Sequence, residues 1–213
     1  RVEITENEIH AQAGALLSMI ANRAMEAELT GFEFAAGIPG TLGGACVMNA
    51  GAYGGEMKDV LETVTVLTRD GDVKTLTKDE LELGYRTSVI AKKDYIALSA
   101  VIRLENGKKE EIKAVMDDLK EKRITKQPLE YPSAGSTFKR PEGYFAGKLI
   151  QDAGLRGFQV GGAQVSEKHC GFVVNKDQAT AADVMNLMNQ VSDKVYEMSG
   201  VRLEPEVKRL GVF

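Results

Sequence analysis

Three short segments carry polar side chains that could act on an anionic substrate. Arg86 lies in segment 84–88, and its planar guanidinium could bind a carboxylate there. Ser136 follows a glycine, so its hydroxyl could face a ligand. Glu206 follows a proline in an expected strand, and an inward-pointing carboxylate would need a partner because a lone buried charge is costly. Simpler interpretations stay open: a solvated arginine, a serine bonded within its turn and a glutamate facing water.

Basic residues accompany the serine in the sequence. Lys126, Lys139 and Arg140 could hold an anionic group, although each taken alone would be an ordinary solvated charge. His169 is a further candidate, equally compatible with a hydrogen-bonded imidazole in the core or at the surface. These residues suggest a binding site for a charged metabolite.

A glycine-rich stretch, residues 37–55, offers a second kind of site. It contains seven of the 22 glycines of the chain. Glycine lets a ligand approach the main chain, and free amide groups in such turns suit phosphate. The spacing matches neither the P-loop nor the usual dinucleotide fingerprint. A set of tight turns without any ligand remains the alternative.

Composition limits the other classes of function. The net charge of −4 and the isoelectric point near 5.4 disfavour binding to nucleic acid or to a membrane surface. No apolar run approaches the roughly 20 residues that span a bilayer, and no signal peptide is visible. Cys46 and Cys170 lack metal-site spacing and are expected to be buried thiols of a reducing cytoplasm. We predict no metal site.

Regular elements must position these side chains, and hydrophobic spacing predicts them. The predicted strands span residues 2–4, 8–11, 60–68, 73–76, 95–104, 171–175 and 201–207. The predicted helices span residues 15–27, 109–122, 145–153 and 180–198. Residues 126–143 hold three of the five prolines and are expected to join two lobes of an α+β fold.

Two of these elements have an expected buried face. The residues predicted to share one face of strand 95–104 are Ile96, Leu98, Ala100, Ile102 and Leu104. The residues predicted to be buried by helix 109–122 are Ile112, Val115, Met116 and Leu119, with charged residues on the solvated side.

Four motifs in order resemble one enzyme family. Residues 37–54, 84–88, 134–139 and 203–207 look like the corresponding segments of the UDP-N-acetylenolpyruvoylglucosamine reductases, the MurB family. The resemblance covers residues 4–213 and favours the branch that lacks an extra substrate-covering tyrosine loop. It implies a FAD-binding domain of the vanillyl-alcohol-oxidase-like type, of which residues 1–126 form the second part. Residues 127–213 would be the substrate-binding α+β domain.

The resemblance also implies a reaction. NADPH would reduce FAD, and the flavin hydride would pass to the alkene carbon of UDP-N-acetylglucosamine enolpyruvate, giving UDP-N-acetylmuramate for peptidoglycan. Arg86 and Glu206 would stabilise the charge that develops beside the substrate carboxylate. Ser136 would donate a proton to the carbon next to that carboxylate. An unactivated serine is a poor acid, so it can protonate only a strongly basic carbanion.

Ligand-binding positions follow from the same resemblance. The residues expected to contact FAD are Gly40, Thr41, Gly43, Gly44, Asn49, Gly51 and Ala52. Lys126 and Arg140 would contact the UDP diphosphate, and His169 falls where the family has a polar residue on the substrate side.

The expected protein is a cytoplasmic monomer, with neither nucleic acid nor membrane as a partner. Family members begin with a further flavin-binding lobe that has no counterpart in these residues, so we expect this chain alone to bind FAD weakly and not to turn over. The alternative is a non-catalytic fragment that at most binds a UDP-sugar. A flavin oxidoreductase with another substrate is a third hypothesis, disfavoured by Ser136, Glu206 and Lys126.

Overall fold

The structure, a computed structural model, describes residues 1–211, so the last two residues of the expected substrate-binding domain lie outside it. The chain divides between Arg123 and Ile124 into two units, each with its own hydrophobic core. The strands of the first unit are β1 (Val2–Thr5), β2 (Glu8–Gln12), β3 (Leu29–Thr30), β4 (Gly51–Ala52), β5 (Gly55–Glu56), β6 (Leu61–Leu67), β7 (Val73–Thr77), β8 (Ile96–Arg103) and β9 (Glu105–Asn106). The helices are α1 (Leu17–Glu26), α2 (Leu42–Met48), α3 (Met57–Val60), α4 (Val89–Lys92) and α5 (Lys109–Lys126), with a 3-10 helix at Glu33–Ala35.

A five-stranded antiparallel sheet organises the first unit, in the order β1-β2-β8-β6-β7. Alternate residues of β6 and β8 point into the core, and Val64 and Ile102 are completely buried there. Helix α2 packs against β8. The sheet therefore supports the segment in which the glycines are concentrated.

The prediction that one face of β8 is apolar and buried is correct for only part of the strand. Ile96 is 53% exposed and Leu98 is 38% exposed, whereas Ala100 is buried. The register shifts where β8 pairs with β6, because Thr65 lies opposite Ser99 but its neighbour Val66 lies opposite Ala97. Such a bulge inserts one unpaired residue and reverses the inside–outside alternation beyond it, so Ile96 faces solvent.

Helix α5 also differs from its prediction. Ile112 is buried and Met116 packs against the core, but Val115 is 47% exposed. Ile112, Met116 and Leu119 lie along one line of the helix, and Val115 lies at the edge of that stripe, where solvent reaches it.

The second unit packs helices on a small sheet. Its elements are β10 (Ser133–Ser136), α6 (Ala146–Asp152), β11 (Gln159–Val160), β12 (Ala163–Val165), β13 (Phe172–Asn175) and α7 (Ala181–Ser199). The sheet order is β10-β13-β12-β11, and every pair is antiparallel. Helix α7 begins with a capping box between Thr180 and Asp183 and is followed by Gly200 in the left-handed conformation.

The predicted last strand, residues 201–207, does not form. This segment makes one isolated bridge, between Phe138 and Pro205. Proline has no N–H group, so a continuous ladder cannot run through Pro205. Flanking hydrogen bonds still hold the segment beside residues 137–139, because Lys139 N donates to Glu204 O over 2.8 Å.

None of the helices within residues 1–211 combines the length and apolar character that crossing a bilayer requires.

Candidate active site

The glycines expected to face the flavin fall into two groups. A Cβ atom at Gly43 would lie 2.8 Å from the Cβ of Ala13, and one at Gly51 would lie 2.7 Å from the Cβ of Glu56. No real Cβ tolerates such distances, so these two positions need glycine for close packing inside the first unit. Internal packing alone accounts for these two glycines.

The second group exposes its backbone. A Cβ at Gly40 would meet no atom within 4 Å, and at Gly44 the nearest atom is Thr41 Oγ1 at 3.9 Å. Both glycines are exposed, and the adjacent Leu16, which is bridged to Thr41, is 53% exposed. Bare backbone beside an apolar side chain provides a surface that a flat ligand could approach closely. The residues of this surface therefore fit FAD.

Ala52 begins the turn of the β4–β5 hairpin. The two turn residues, Tyr53 and Gly54, have φ values of 53° and 93°. Positive φ at both central residues is the turn geometry that matches the twist of two-residue hairpins. Tyr53 is 47% exposed, so the hairpin presents an aromatic ring at its tip.

The side chain of Asn49, a predicted flavin contact, makes hydrogen bonds within the first unit. Its side chain is fully buried, and its Nδ2 donates to Glu56 Oε2 over 2.8 Å and to Gly84 O over 3.1 Å. Its Oδ1 accepts from Lys58 N over 2.8 Å. The Asn49 side chain therefore holds the glycine-rich segment, the hairpin and the turn before Arg86 together inside the first unit.

Arg86 occupies a tight turn between Gly84 and Thr87, which exchange two backbone hydrogen bonds of 3.1 and 3.2 Å. Arg86 has φ of 55°, a conformation that non-glycine residues rarely adopt, and its guanidinium lies 5.1 Å from the Tyr85 ring centroid. Left-handed backbone in a non-glycine residue persists where surrounding contacts enforce it.

Both ends of this turn are fixed to α2 and its C-cap. Asn49 binds Gly84 O at one end, and at the other end the buried Ser88 donates from Oγ to Val47 O over 2.6 Å. Arg86 is thereby placed relative to the glycine-rich segment by contacts within the first unit. Sequence reasoning did not identify Ser88 as a positioning residue, although its place in the 84–88 motif was the available signal.

In the second unit, Ser136 ends β10 directly after an irregular pairing. Ser133 pairs with Val174 and Ser136 pairs with Phe172, with a register shift between the two pairs. Gly135 has φ of 81° within this bulge. Bulges redirect side chains near functional sites, and Ser136 is exposed as the proposed proton donor requires.

The fold brings Glu206 next to Ser136 through Thr137. Glu206 N donates to Thr137 O over 2.8 Å, although the two residues are far apart in sequence. Beside this contact Lys139 and Glu204 form an ion pair. The sequence suggests Lys139 as an anion-binding residue, but the structure gives it a carboxylate partner within the protein.

His169 lies in the loop before β13. Its Nδ1 accepts a hydrogen bond from Gly171 N over 3.0 Å, and its ring makes an edge contact with Phe172 at 4.9 Å between centroids. Burial, and secondarily the positive charge of Arg156, lowers the pKa of the His169 imidazole. The neutral imidazole uses Nδ1 as an acceptor, which leaves Nε2 as its hydrogen-bond donor.

Thr137 links this loop to the other candidates. Thr137 N donates to Gly171 O over 2.9 Å, so the loop carrying His169 is tied to the residue after Ser136. The sequence shows no polar spacing that distinguishes Thr137 from an ordinary strand threonine.

The two expected diphosphate contacts are exposed. Lys126 is the last residue of α5. Arg140 Nε donates to Tyr144 O over 3.3 Å, and its guanidinium lies 4.0 Å from the Phe145 ring centroid. Stacking on an aromatic ring orients the guanidinium of Arg140. Arg86 belongs to the first unit, whereas Ser136, Arg140, His169 and Glu206 belong to the second.

Both cysteines are buried free thiols, as predicted. Burial raises the pKa of the Cys46 thiol to about 12 and also raises that of Cys170. Within residues 1–211, no three His, Cys, Asp or Glu side chains are grouped to hold a metal ion.

An antiparallel α+β unit with an exposed glycine-lined surface, followed by a separate polar α+β unit, fits the class of two-domain flavoproteins. Comparisons with known proteins agree. Residues 1–77 match a family model described as a FAD binding domain. Residues 127–210 match the model of the UDP-N-acetylenolpyruvoylglucosamine reductase C-terminal domain.

The similar proteins found by these comparisons include several UDP-N-acetylenolpyruvoylglucosamine reductases. The chain is 65% identical to the UDP-N-acetylenolpyruvoylglucosamine reductase of Agathobacter rectalis over 96% of the chain and 65% of that protein. It is 57% identical to the Clostridioides difficile reductase, covering 98% of the chain and 69% of that protein. The crystal structure of MurB from Thermus caldophilus superposes with a TM-score of 0.81 at 39% identity, over 93% of this chain and 71% of that one.

The chain belongs to the UDP-N-acetylenolpyruvoylglucosamine reductase (MurB) family. It spans about two thirds of the length of these relatives.

Proposed function

We propose that the protein reduces UDP-N-acetylglucosamine enolpyruvate to UDP-N-acetylmuramate, with FAD as cofactor and NADPH as reductant, in the synthesis of peptidoglycan. Residues 1–126 would provide the flavin side and residues 127–213 the substrate side. The observation that carries the proposal is the junction at Thr137. There, one buried residue ties the strand of Ser136 to the backbone of Glu206 and to the loop of His169.

The flavin would lie against the exposed backbone of the first unit. Gly40 and Gly44 would allow close approach, Thr41 would add a hydroxyl, and Ala52 with the hairpin would bound the surface. FAD, once reduced by NADPH, would supply the hydride that the alkene of the substrate receives. Asn49 would act indirectly, by holding the hairpin and the Arg86 turn in place.

The substrate would be bound through its charges. Lys126 and Arg140 would contact the diphosphate, where their positive charges are exposed. His169 would present its Nε2–H to a polar group of the sugar nucleotide. Arg86 would bind the substrate carboxylate, since a guanidinium matches a carboxylate with two parallel hydrogen bonds.

Ser136 would complete the reaction. When hydride adds to the terminal alkene carbon, the alkene electron pair moves to the carbon next to the carboxylate. Ser136 Oγ would transfer its proton to that carbon, and the serine would then regain a proton from solvent. Arg86 would stabilise the enolate-like charge electrostatically, and Glu206 would do so by donating a hydrogen bond from its carboxyl O–H, because a carboxylate anion would repel that charge.

Purified protein from the complete gene tests the proposal. We expect a yellow protein that oxidises NADPH in proportion to added UDP-N-acetylglucosamine enolpyruvate and yields a sugar nucleotide heavier by two hydrogen atoms. A colourless protein, or one whose NADPH oxidation ignores the enolpyruvyl sugar, would contradict it.

A second candidate, a binding fragment without catalysis, is favoured by one observation. Ser136, Arg140, His169 and Glu206 all lie in the second unit, which has its own core. Titrating residues 1–213 with the UDP-sugar and separately with FAD distinguishes the two. Binding of the sugar without FAD would support the fragment, and stoichiometric FAD binding would count against it.

A further inference from the structure

We propose that Thr137 is a positioning residue that sets the relative places of Ser136 and Glu206, an inference that rests on the proposed function. Thr137 itself would not touch the reacting atoms. Its role would be to fix the backbone on which both acid–base groups are carried.

Three hydrogen bonds from one residue support this role. Thr137 N donates to Gly171 O over 2.9 Å, and Thr137 O accepts from Glu206 N over 2.8 Å. Its side-chain Oγ1 accepts from Val173 N over 2.9 Å, in a bond that is buried on both sides. Thr137 therefore connects β10 with β13, with the loop before β13 and with the C-terminal segment.

A substitution at Thr137 can remove only the side-chain hydrogen bond, because the other two are made by its backbone. Thr137 is 3% exposed, so water cannot replace its hydroxyl as the acceptor for Val173 N. A buried donor that loses its acceptor moves until it finds another partner, because an unsatisfied N–H is unfavourable in the interior. β10 and β13 would then move relative to each other at the level of Ser136.

Packing does not fix β10 by itself. An open apolar groove of about 300 Å³ lies along this strand, lined by Ala134, Thr137, Val173, Met188 and Val207 among others. A filled core would resist a shift of the strand, but an open groove beside it leaves room for one. The hydrogen bonds of Thr137 therefore add to the pairing of Ser136 with Phe172 a constraint that packing on this side does not supply.

Proton transfer depends steeply on such a shift. The Ser136 hydroxyl must stand within hydrogen-bond distance of the substrate carbon, and a displacement of 1 Å can lower a rate about 100-fold. Binding of the UDP diphosphate by Lys126 and Arg140 would not depend on this distance. The predicted defect is therefore in the chemical step and not in affinity.

The test compares three variants of the protein made from its complete gene. T137V replaces Oγ1 by a methyl group of similar volume, T137S keeps the oxygen, and Val191→Ala makes a cavity in the core of the second unit without removing a hydrogen bond. Stopped-flow measurement separates flavin reduction by NADPH from flavin reoxidation by the enolpyruvyl sugar. Rates are normalised to bound flavin, so a partly folded sample still gives the ratio of the two half-reactions.

We expect T137V to slow reoxidation by about 10- to 100-fold. Flavin reduction and the KM for the sugar should stay within about 2-fold of wild type, since neither depends on the Ser136 position. T137S should restore reoxidation to within about 3-fold, and V191A should leave the ratio unchanged. Amide exchange at Val173 should be at least about 10-fold faster in T137V than in T137S, because only T137V lacks the acceptor.

Two failures are distinguishable. Wild-type protein that does not reduce the sugar overturns the proposed function, and the positioning role falls with it. An active wild type overturns only the positioning role if T137V reoxidises at the wild-type rate. The positioning role is also overturned if T137V slows both half-reactions equally, or if V191A slows reoxidation as much as T137V does.

Discussion

At the scale of single residues, Ser136 and His169 of the second unit have contrasting environments. Ser136 is exposed on a strand end, where a substrate could reach its hydroxyl. His169 is half-buried, with its Nδ1 already used by Gly171 N and its pKa lowered. The serine can therefore donate a proton to a strong base, and the histidine remains neutral and serves as a hydrogen-bonding group.

Replacing Ser136 by alanine should remove the proton donor alone. Flavin reoxidation by the enolpyruvyl sugar should fall about 100- to 10,000-fold, the usual contribution of a positioned acid. Reduction by NADPH should not change. Ser133→Ala, at an exposed serine of the same strand, is the matched control. Equal rates for the two variants would exclude Ser136 as the donor.

The stability of the protein should depend on the protonation of His169. Burial lowers its pKa in the folded state below the ordinary 6.5, so the unfolded chain binds the proton first as pH falls. Stability contributed by the neutral imidazole is complete above about pH 6.5 and is lost as pH falls toward the folded-state pKa.

Urea unfolding at a series of pH values measures this loss. His169→Gln, whose amide oxygen can accept from Gly171 N, should flatten the part of the profile that lies below about pH 6.5. His10 is the only other histidine of the sequence and is exposed, so His10→Gln is the control. A profile that flattens in the control instead would contradict the assignment.

At the scale of elements, α2 and its flanking turns combine close packing with an exposed backbone. Gly43 faces Ala13 across the unit, whereas Gly44, one residue further along the helix, faces solvent. Asn49 ends the helix in the left-handed conformation and ties it to Gly84. The same short element therefore stabilises the first unit and offers a ligand surface.

Alanine substitutions at these two adjacent glycines should have opposite effects on stability. Gly43→Ala should destabilise the protein by about 1–3 kcal/mol, because its methyl group overlaps Ala13. Gly44→Ala should stabilise it by up to about 1 kcal/mol, as expected for alanine in a helix, yet weaken FAD binding. Urea unfolding and flavin titration measure the two effects. A Gly44→Ala protein with undiminished FAD affinity would remove Gly44 from the flavin surface.

Local patterns predicted the longer helices and strands but missed the short ones, and long-range pairing explains the other differences. Alternation located β6 and β8, but the bulge that exposes Ile96 leaves no mark in the pattern. Proline at 205 disfavours a continuous strand, although Val201 and Leu203 suggest one. The contact of Glu206 with Thr137 arises only on folding, since no local spacing relates two segments so far apart. The burial of Asn49 could not be predicted from the sequence either, because asparagine is usually exposed.

At the scale of the whole molecule, each unit has its own core and its own buried thiol. Cys46 belongs to the first core and Cys170 to the second. Raised thiol pKa values and burial make both cysteines poor nucleophiles in the folded protein. The native cysteines can thus report the opening of each core separately.

Thiol labelling should test this division. Both cysteines should react slowly in native buffer, and Val191→Ala should speed the labelling of Cys170 without affecting Cys46, because Val191 lies in the second core only. Mass spectrometry of labelled peptides measures both sites. Equal acceleration at both cysteines would show that the two cores open together.

The central claim is that the reduced flavoprotein delivers its electrons to the enolpyruvyl sugar. The most direct measurement mixes the NADPH-reduced protein, made from its complete gene, with UDP-N-acetylglucosamine enolpyruvate in the absence of oxygen. We predict that the spectrum of oxidised flavin returns when one equivalent of the enolpyruvyl sugar per flavin is added. One equivalent of UDP-N-acetylmuramate should form at the same time. A flavin that stays reduced while oxygen alone reoxidises it would contradict the account.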